Sequence, residues 1–281
     1  MFLPRHRTTQ SRFGRSGRFG RSRLRYDHIW WGEPTAAPAD ATGYWAATRR
    51  PSPCLVFVFP LLLVYEGGLS SLGAAGDVHR AGADSWIRHA FAAVGLTDRW
   101  LLPLLLTAGL LVWQSLDRRD WRFPPLTLGG MVVESVLLGL MLIGLSNLVD
   151  VGFNRLDRPL LVASGAGPSM SVASMLGFLG AGIYEETLFR LVAIPLIYHA
   201  LRLMFVPGVA ASTLAITTSS LFFSLAHHAG TPGESFTLFA FVFRWLAGVF
   251  FAYVFVARGF GVAVGTHSAY DLLVGWGDVQ L

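Results

Sequence analysis

Glu185, Glu186 and Arg190 stand inside an otherwise apolar stretch of this chain, Gly182-Ile183-Tyr184-Glu185-Glu186-Thr187-Leu188-Phe189-Arg190. No charged residue occurs from Pro159 to Tyr184, and none from Leu191 to Leu201. A lone charge at the centre of a membrane helix costs roughly 2.5 to 3.5 kcal/mol on insertion scales, so such groups are paired, face inward and carry function. On a helix Glu186 and Arg190 are four apart and share a face, with the acid on the favourable N-terminal side. Glu185 lies about 100° round from Glu186. One carboxylate is therefore held by the arginine, and the other is free to act as a base in a desolvated site.

Two later segments supply partners. Phe222-Phe223-Ser224-Leu225-Ala226-His227-His228 ends one apolar run, with Phe223 and His227 on one helical face and His228 turned about 100° away, towards a loop. Thr266-His267-Ser268-Ala269-Tyr270-Asp271 lies within the last run, where His267 and Asp271 are again four apart. Three helices must bring these groups together. Other uses of the same residue types remain open at this point: a Glu186–Arg190 pair that only fixes packing, a polar network that ties helices together, or a proton relay in a transporter. A transporter would carry an inverted repeat, and none is visible. His228 reads as a helix-end histidine.

Glu185-Glu186-x-x-x-Arg190, Phe223-x-x-x-His227 and His267-x-x-x-Asp271, in this order on successive apolar segments, resemble the three motifs of the CAAX-prenyl-protease and bacteriocin-processing (CPBP, or Abi) family of intramembrane proteases, which includes the type II CAAX prenyl endopeptidases. The resemblance covers about residues 171–277. It implies that Glu185 and His227 activate a water for attack on a peptide carbonyl. It also implies that His267 and Asp271 support the site, and that Glu186 and Arg190 hold the helix. It leaves open a glutamate-type or a metal-dependent reaction; Zn²⁺, if used, would fall to Glu185, His227 and His267, although the His-Glu-x-x-His helix motif is absent. Asp271 can stabilise an oxyanion only when protonated, because an ionised carboxylate has no proton to donate. Ionised, it would orient His267 or pair with Arg244. Some relatives imply a non-proteolytic scaffold or immunity protein instead.

The remainder of the chain fits a membrane setting. Of its 281 residues 53% are hydrophobic and 14% charged, against about 25% charged in a soluble domain, and the mean hydropathy is +0.51. The expected fold is all-α, a polytopic transmembrane bundle of about seven spans at 54–73, 100–116, 128–149, 171–198, 208–227, 236–257 and 260–277, with the CPBP-like core on the last four. Pro195 is expected to bend or end the fourth span. Residues 1–50 read as a disordered basic tail and interfacial lead-in, and 51–281 as the bundle. Eight arginines fall in the first 25 residues with no acid among them, which points to anionic lipid as a partner and to no specific nucleic acid. Cys54, the single cysteine, excludes an internal disulfide and reads as an ordinary buried thiol.

All 22 basic residues are arginine, and a chain of this composition points to a bacterial cytoplasmic (inner) membrane. Counting arginines in the loops places the N-terminus inside. Residues 77–98 hold an amphipathic run around Trp86 that would lie along the interface. Glu66, Glu134 and Arg244 also fall within spans and receive no role from sequence. The expected partners are the bilayer and a membrane-anchored peptide or protein substrate.

Overall fold

The computed structural model describes residues 43–117, 120–153, 171–229 and 236–280; the arginine-rich tail and the loop at 164–169 lie outside them. The described chain is all-α. A one-turn helix α1 (Tyr44–Ala47) leads into α2 (Pro51–Ser71), followed by the short α3 (Ala74–Val78), α4 (Gly82–Ala93), α5 (Leu101–Asp117) and α6 (Leu126–Gly152). Then come α7 (Val172–Glu186), a π-helical segment (Thr187–Ala193), α8 (Ile194–Leu203), α9 (Gly208–Ala226), α10 (Leu238–Arg258) and α11 (Phe260–Gln280). Local chemistry sets several starts. Pro51 occupies the first turn of α2, where its missing N–H costs nothing. Ser171 caps α7 by accepting from Ser174 N at 3.1 Å, and Thr237 caps α10 by accepting from Ala240 N at 3.1 Å.

Four of these helices, α2, α6, α9 and α10, are long and apolar enough to cross a membrane, and α5 is a shorter apolar helix of 17 residues. These are the features of an integral membrane protein with several membrane-spanning helices. The fourth segment does not stop at Pro195. α7, the π segment and α8 form one helical run from Val172 to Leu203, with Pro195 in the first turn of α8. Proline cannot donate the helical hydrogen bond of its position, and the π register just before it is one of the local adjustments by which a helix absorbs that loss.

Helix α11 is the axis of the bundle. Phe260 to Ser268 are all buried, and the helix packs against α2, α6, α7 and α10. Close approach to α7 depends on Gly182: a Cβ there would run into Ser268 Oγ and lie 2.9 Å from the Val264 carbonyl oxygen. Small residues that let backbones approach are the usual device of helix packing in membranes. The turn from α10 to α11 rests on Gly259, whose φ of +92° suits glycine and whose Cα faces the backbone of Thr48 and Arg49. Helix α4, the amphipathic run of the sequence, packs on α7 and buries Ala83 and Asp84.

Candidate active site

Glu185 and Glu186 end α7, and they turn to different partners. Glu186 is fully buried, and its Oε1 accepts a hydrogen bond from His267 Nδ1 at 2.8 Å. The same oxygen lies 3.2 Å from Arg190 Nη1, at ion-pair distance but out of hydrogen-bond alignment. Arg190 instead donates from Nη2 to the Gly248 carbonyl at 3.1 Å. Its guanidinium sits over the rings of Phe223, Phe251 and Phe189 at 4.5, 5.4 and 6.0 Å. A desolvated cation over aromatic faces gains about 2 kcal/mol per good contact, so the arginine is held by an aromatic box as well as by its acid. The π segment is itself tied down: Ser219 Oγ of α9 donates to the Phe189 carbonyl at 2.6 Å.

Glu185 points into the space between α9 and α11. Its Oε2 lies 3.7 Å from His227 Nε2 and 3.8 Å from His267 Nε2, and is buried with no hydrogen-bond partner among the described residues. Both imidazoles are oriented from behind. His227 Nδ1 donates to the Phe223 carbonyl at 2.8 Å, and His267 Nδ1 donates to Glu186. A carbonyl oxygen can only accept, so in neutral His227 the proton is on Nδ1 and the lone pair of Nε2 faces Glu185. In neutral His267 the same logic leaves Nε2 as the acceptor. Separations near 3.7 Å exceed a direct hydrogen bond and are of the length that a water bridges.

Asp271 Oδ2 lies 3.5 Å from the same His267 Nε2. The structure therefore brings Glu185, His227, His267 and Asp271 into one cluster, with Glu186 and Arg190 behind it. Exposure falls along this set: the side chains of His227, Asp271 and Glu185 retain 26, 21 and 12% of their surface, and that of Glu186 none. The first three side chains are partly exposed and the last is not. His228 sits in the turn after α9, with its ring against Phe236 and Phe241.

Two contributors were not legible as such. Phe251 stacks on the His267 ring at 4.4 Å with 13° between planes, and is 1% exposed. Gly248 offers the carbonyl that holds Arg190. Arg244, which the sequence offered as a partner for an ionised Asp271, lies one turn before Gly248 on α10. Arg244, Gly248 and Phe251 follow the i, i+4, i+7 spacing of a single helix face, which is the signal that the phenylalanine-rich run around them obscures.

In kind, the donors suit Zn²⁺: two ring nitrogens and a carboxylate oxygen face one another, and each histidine donates its other N–H to an acceptor, as metal-bound histidines do. In spacing, no group of three or more His, Cys, Asp or Glu side chains among the described residues is set to hold a metal ion.

Fold and site together define a polytopic helical membrane protein with a buried Glu/His/Asp cluster between its helices. Residues 167–273 match the protein family described as Type II CAAX prenyl endopeptidase Rce1-like, so that over this part the chain carries a CAAX-protease domain of the CPBP, or Abi, type. Helices α1 to α6 lie outside the match. No curated protein and no solved structure matches the chain.

Proposed function

We propose that this protein is an intramembrane endopeptidase that hydrolyses a peptide bond of a membrane-associated protein or peptide with a water activated by Glu185 and His227. The observation that carries the reading is the position of Glu185 Oε2, unpartnered and facing the Nε2 atoms of His227 and His267 at 3.7 and 3.8 Å within a CAAX-protease domain. Glu185 takes a proton from water while the water oxygen attacks the peptide carbonyl carbon, and the carbonyl π electrons move onto oxygen. His267, charged and supported by Glu186 and Asp271, donates from Nε2 to that oxyanion. Collapse of the intermediate breaks the C–N bond, and the proton taken from water passes by way of His227 to the leaving amine. Glu186 and Arg190 position the site without touching substrate.

The same donor set supports a second reading, in which Glu185, His227 and His267 would hold Zn²⁺; the ion would supply polarisation of the carbonyl and acidification of the water. In either case the membrane frame is seven crossings, with α5 as the short one and α7 to α8 as one. The N-terminus lies inside, in a bacterial cytoplasmic membrane, with the basic tail on anionic lipid. The catalytic core occupies the last four crossings, and the substrate is a membrane-anchored peptide or a C-terminal sorting segment, prenylated or not. The test is cleavage of such peptides by the purified full chain and by its Glu185→Gln form, with metal analysis of the same sample.

A further inference from the structure

A second cluster of buried charge meets α7 at Tyr184, the residue before Glu185, and every carboxylate oxygen of its two buried acids is hydrogen-bonded. Glu66 of α2 accepts on Oε1 from Tyr184 Oη at 2.7 Å and from Arg88 Nη2 at 2.8 Å, and on Oε2 from Arg80 Nη1 at 3.3 Å. Asp84 of α4 accepts on Oδ1 from Arg88 Nε at 2.6 Å, and on Oδ2 from Arg80 Nη1 at 2.7 Å and Tyr65 Oη at 2.8 Å. A third acid, the largely exposed Asp77, accepts from Arg80 Nε at 3.1 Å, so that the two arginines meet two buried acids and one exposed one. Glu66, Asp84, Tyr65 and Tyr184 are each at most 2% exposed. The rings of Tyr65 and Tyr184 also pack together, with centroids 5.6 Å apart.

A buried ion cluster is weak evidence of stability, because desolvation of its charges offsets their attraction; its better-attested use is to fix one arrangement against its neighbours. What this cluster fixes is Tyr184, the residue next to Glu185. On the other side of Glu185, Glu186 is fixed by His267 and Arg190. Glu185 thus lies between two anchored neighbours. Its own Oε2 is unpartnered, as is Glu186 Oε2, whereas no carboxylate oxygen of Glu66 or Asp84 is. The contrast separates a static network from a reactive one, joined by a single peptide bond.

We propose that Tyr184 and Glu66 are positioning residues for the reaction: the Glu66–Asp84–Arg80–Arg88 cluster, acting through the Tyr184 hydroxyl, sets the rotation of α7 that aims Glu185 at His227. This rests on the reading of Glu185 as the reacting carboxylate. Tyr184→Phe removes only the hydroxyl and keeps the ring against Tyr65. Glu66→Gln is the second variant, and it keeps a carbonyl acceptor for the tyrosine.

The test uses the full chain in detergent micelles, treated with the apolar reagent dicyclohexylcarbodiimide. Modification of Glu185 is followed by peptide mass spectrometry, with the ion-paired Glu186 as internal reference. In Tyr184→Phe the rate at Glu185 should change by about threefold or more, on the scale of one lost hydrogen bond, with Glu186 unmodified and the melting temperature within a few degrees of the parent. Glu66→Gln keeps an acceptor for Tyr184 but takes a counter-charge from Arg80 and Arg88, and the rate at Glu185 should change in the same direction as in Tyr184→Phe. On any membrane-anchored peptide that the parent cleaves, Tyr184→Phe should lower kcat by about tenfold with KM little changed, as misplacement of a reacting group does. Equal modification of Glu185 in parent and Tyr184→Phe, including none in either, overturns the proposal. Failure of the parent to cleave any peptide counts against the protease reading alone, since the carbodiimide measurement needs no substrate.

Discussion

His267 meets both glutamates of α7 with different nitrogens: Nδ1 lies 2.8 Å from Glu186 Oε1, and Nε2 lies 3.8 Å from Glu185 Oε2. The adjacent acids therefore have unequal parts. Glu186 orients the ring and pairs with Arg190, while Glu185 and the ring face one another across a gap that no direct hydrogen bond closes.

Replacing each acid by its amide should separate the parts. Glu186→Gln leaves the buried Arg190 cation without its counter-charge, and breaking one side of a buried pair costs about 3–5 kcal/mol. Its melting temperature in detergent should fall clearly, and cleavage should fall by about 10- to 100-fold as His267 loses its orienting carboxylate. Glu185→Gln, at an oxygen with no partner, should melt at the parent temperature or above it.

Arg190→Lys keeps the charge and should still destabilise the chain. An ammonium cannot bond the Gly248 carbonyl while lying flat over Phe223 and Phe251, since it lacks the planar fork of guanidinium. A loss of about 1–3 kcal/mol is expected, from the lost charge-assisted hydrogen bond and weakened ring contacts. Thermal unfolding of the two proteins in one detergent would measure it.

The sequence carried the local pairings further than it carried the frame. Spacing alone put Glu186 with Arg190, Phe223 with His227 and His267 with Asp271, because i, i+4 neighbours on a helix are local. That His267 also grips Glu186, 81 residues away, depends on how closely α7 and α11 approach, which Gly182 permits but does not announce. Glu66 and Tyr184, 118 residues apart, lay hidden for the same reason. The π segment before Pro195 was not legible either, since a proline marks where a helical hydrogen bond is lost but not the register that absorbs the loss. Hydropathy gave seven segments where, among the described residues, four helices meet the length and composition of a membrane span. The α7 run is divided by the π segment, so that neither α7 nor α8 alone has the length of a span.

Gly182→Ala should be severe. The added methyl would meet Ser268 Oγ and the α11 backbone, so the helices must separate, and overpacking of this kind costs about 1–3 kcal/mol. Because His267 is adjacent to Ser268, activity should fall more than folded yield. Size-exclusion recovery and cleavage rate, measured on one preparation, would show the difference.

At the far end of the bundle Tyr44 donates to Glu134 Oε2 at 2.5 Å, and Arg258 donates from Nη2 to the same oxygen at 2.9 Å while lying 3.6 Å over the Trp45 ring. Burial, then the hydrogen bond to Glu134, lifts the Tyr44 phenol above its ordinary range, against the opposing charge of Arg258. A raised folded value favours the neutral phenol. Its contribution is therefore full below the ordinary tyrosine range near pH 10 and is lost as pH rises through the higher folded value. Ultraviolet titration of parent minus Tyr44→Phe should show this tyrosine ionising above the ordinary range, and Glu134→Gln should bring it down.

The central claim is hydrolysis by a water that Glu185 activates, and the direct measurement is peptide cleavage in ¹⁸O-water by the full chain in liposomes, beside its Glu185→Gln form. The parent should cut a membrane-anchored peptide and place one ¹⁸O in the new carboxyl group. The variant, folded by its melting curve, should be slower by about 10³-fold or more, as loss of a positioned base together with its oriented water requires. Cleavage by Glu185→Gln at the parent rate would contradict the account.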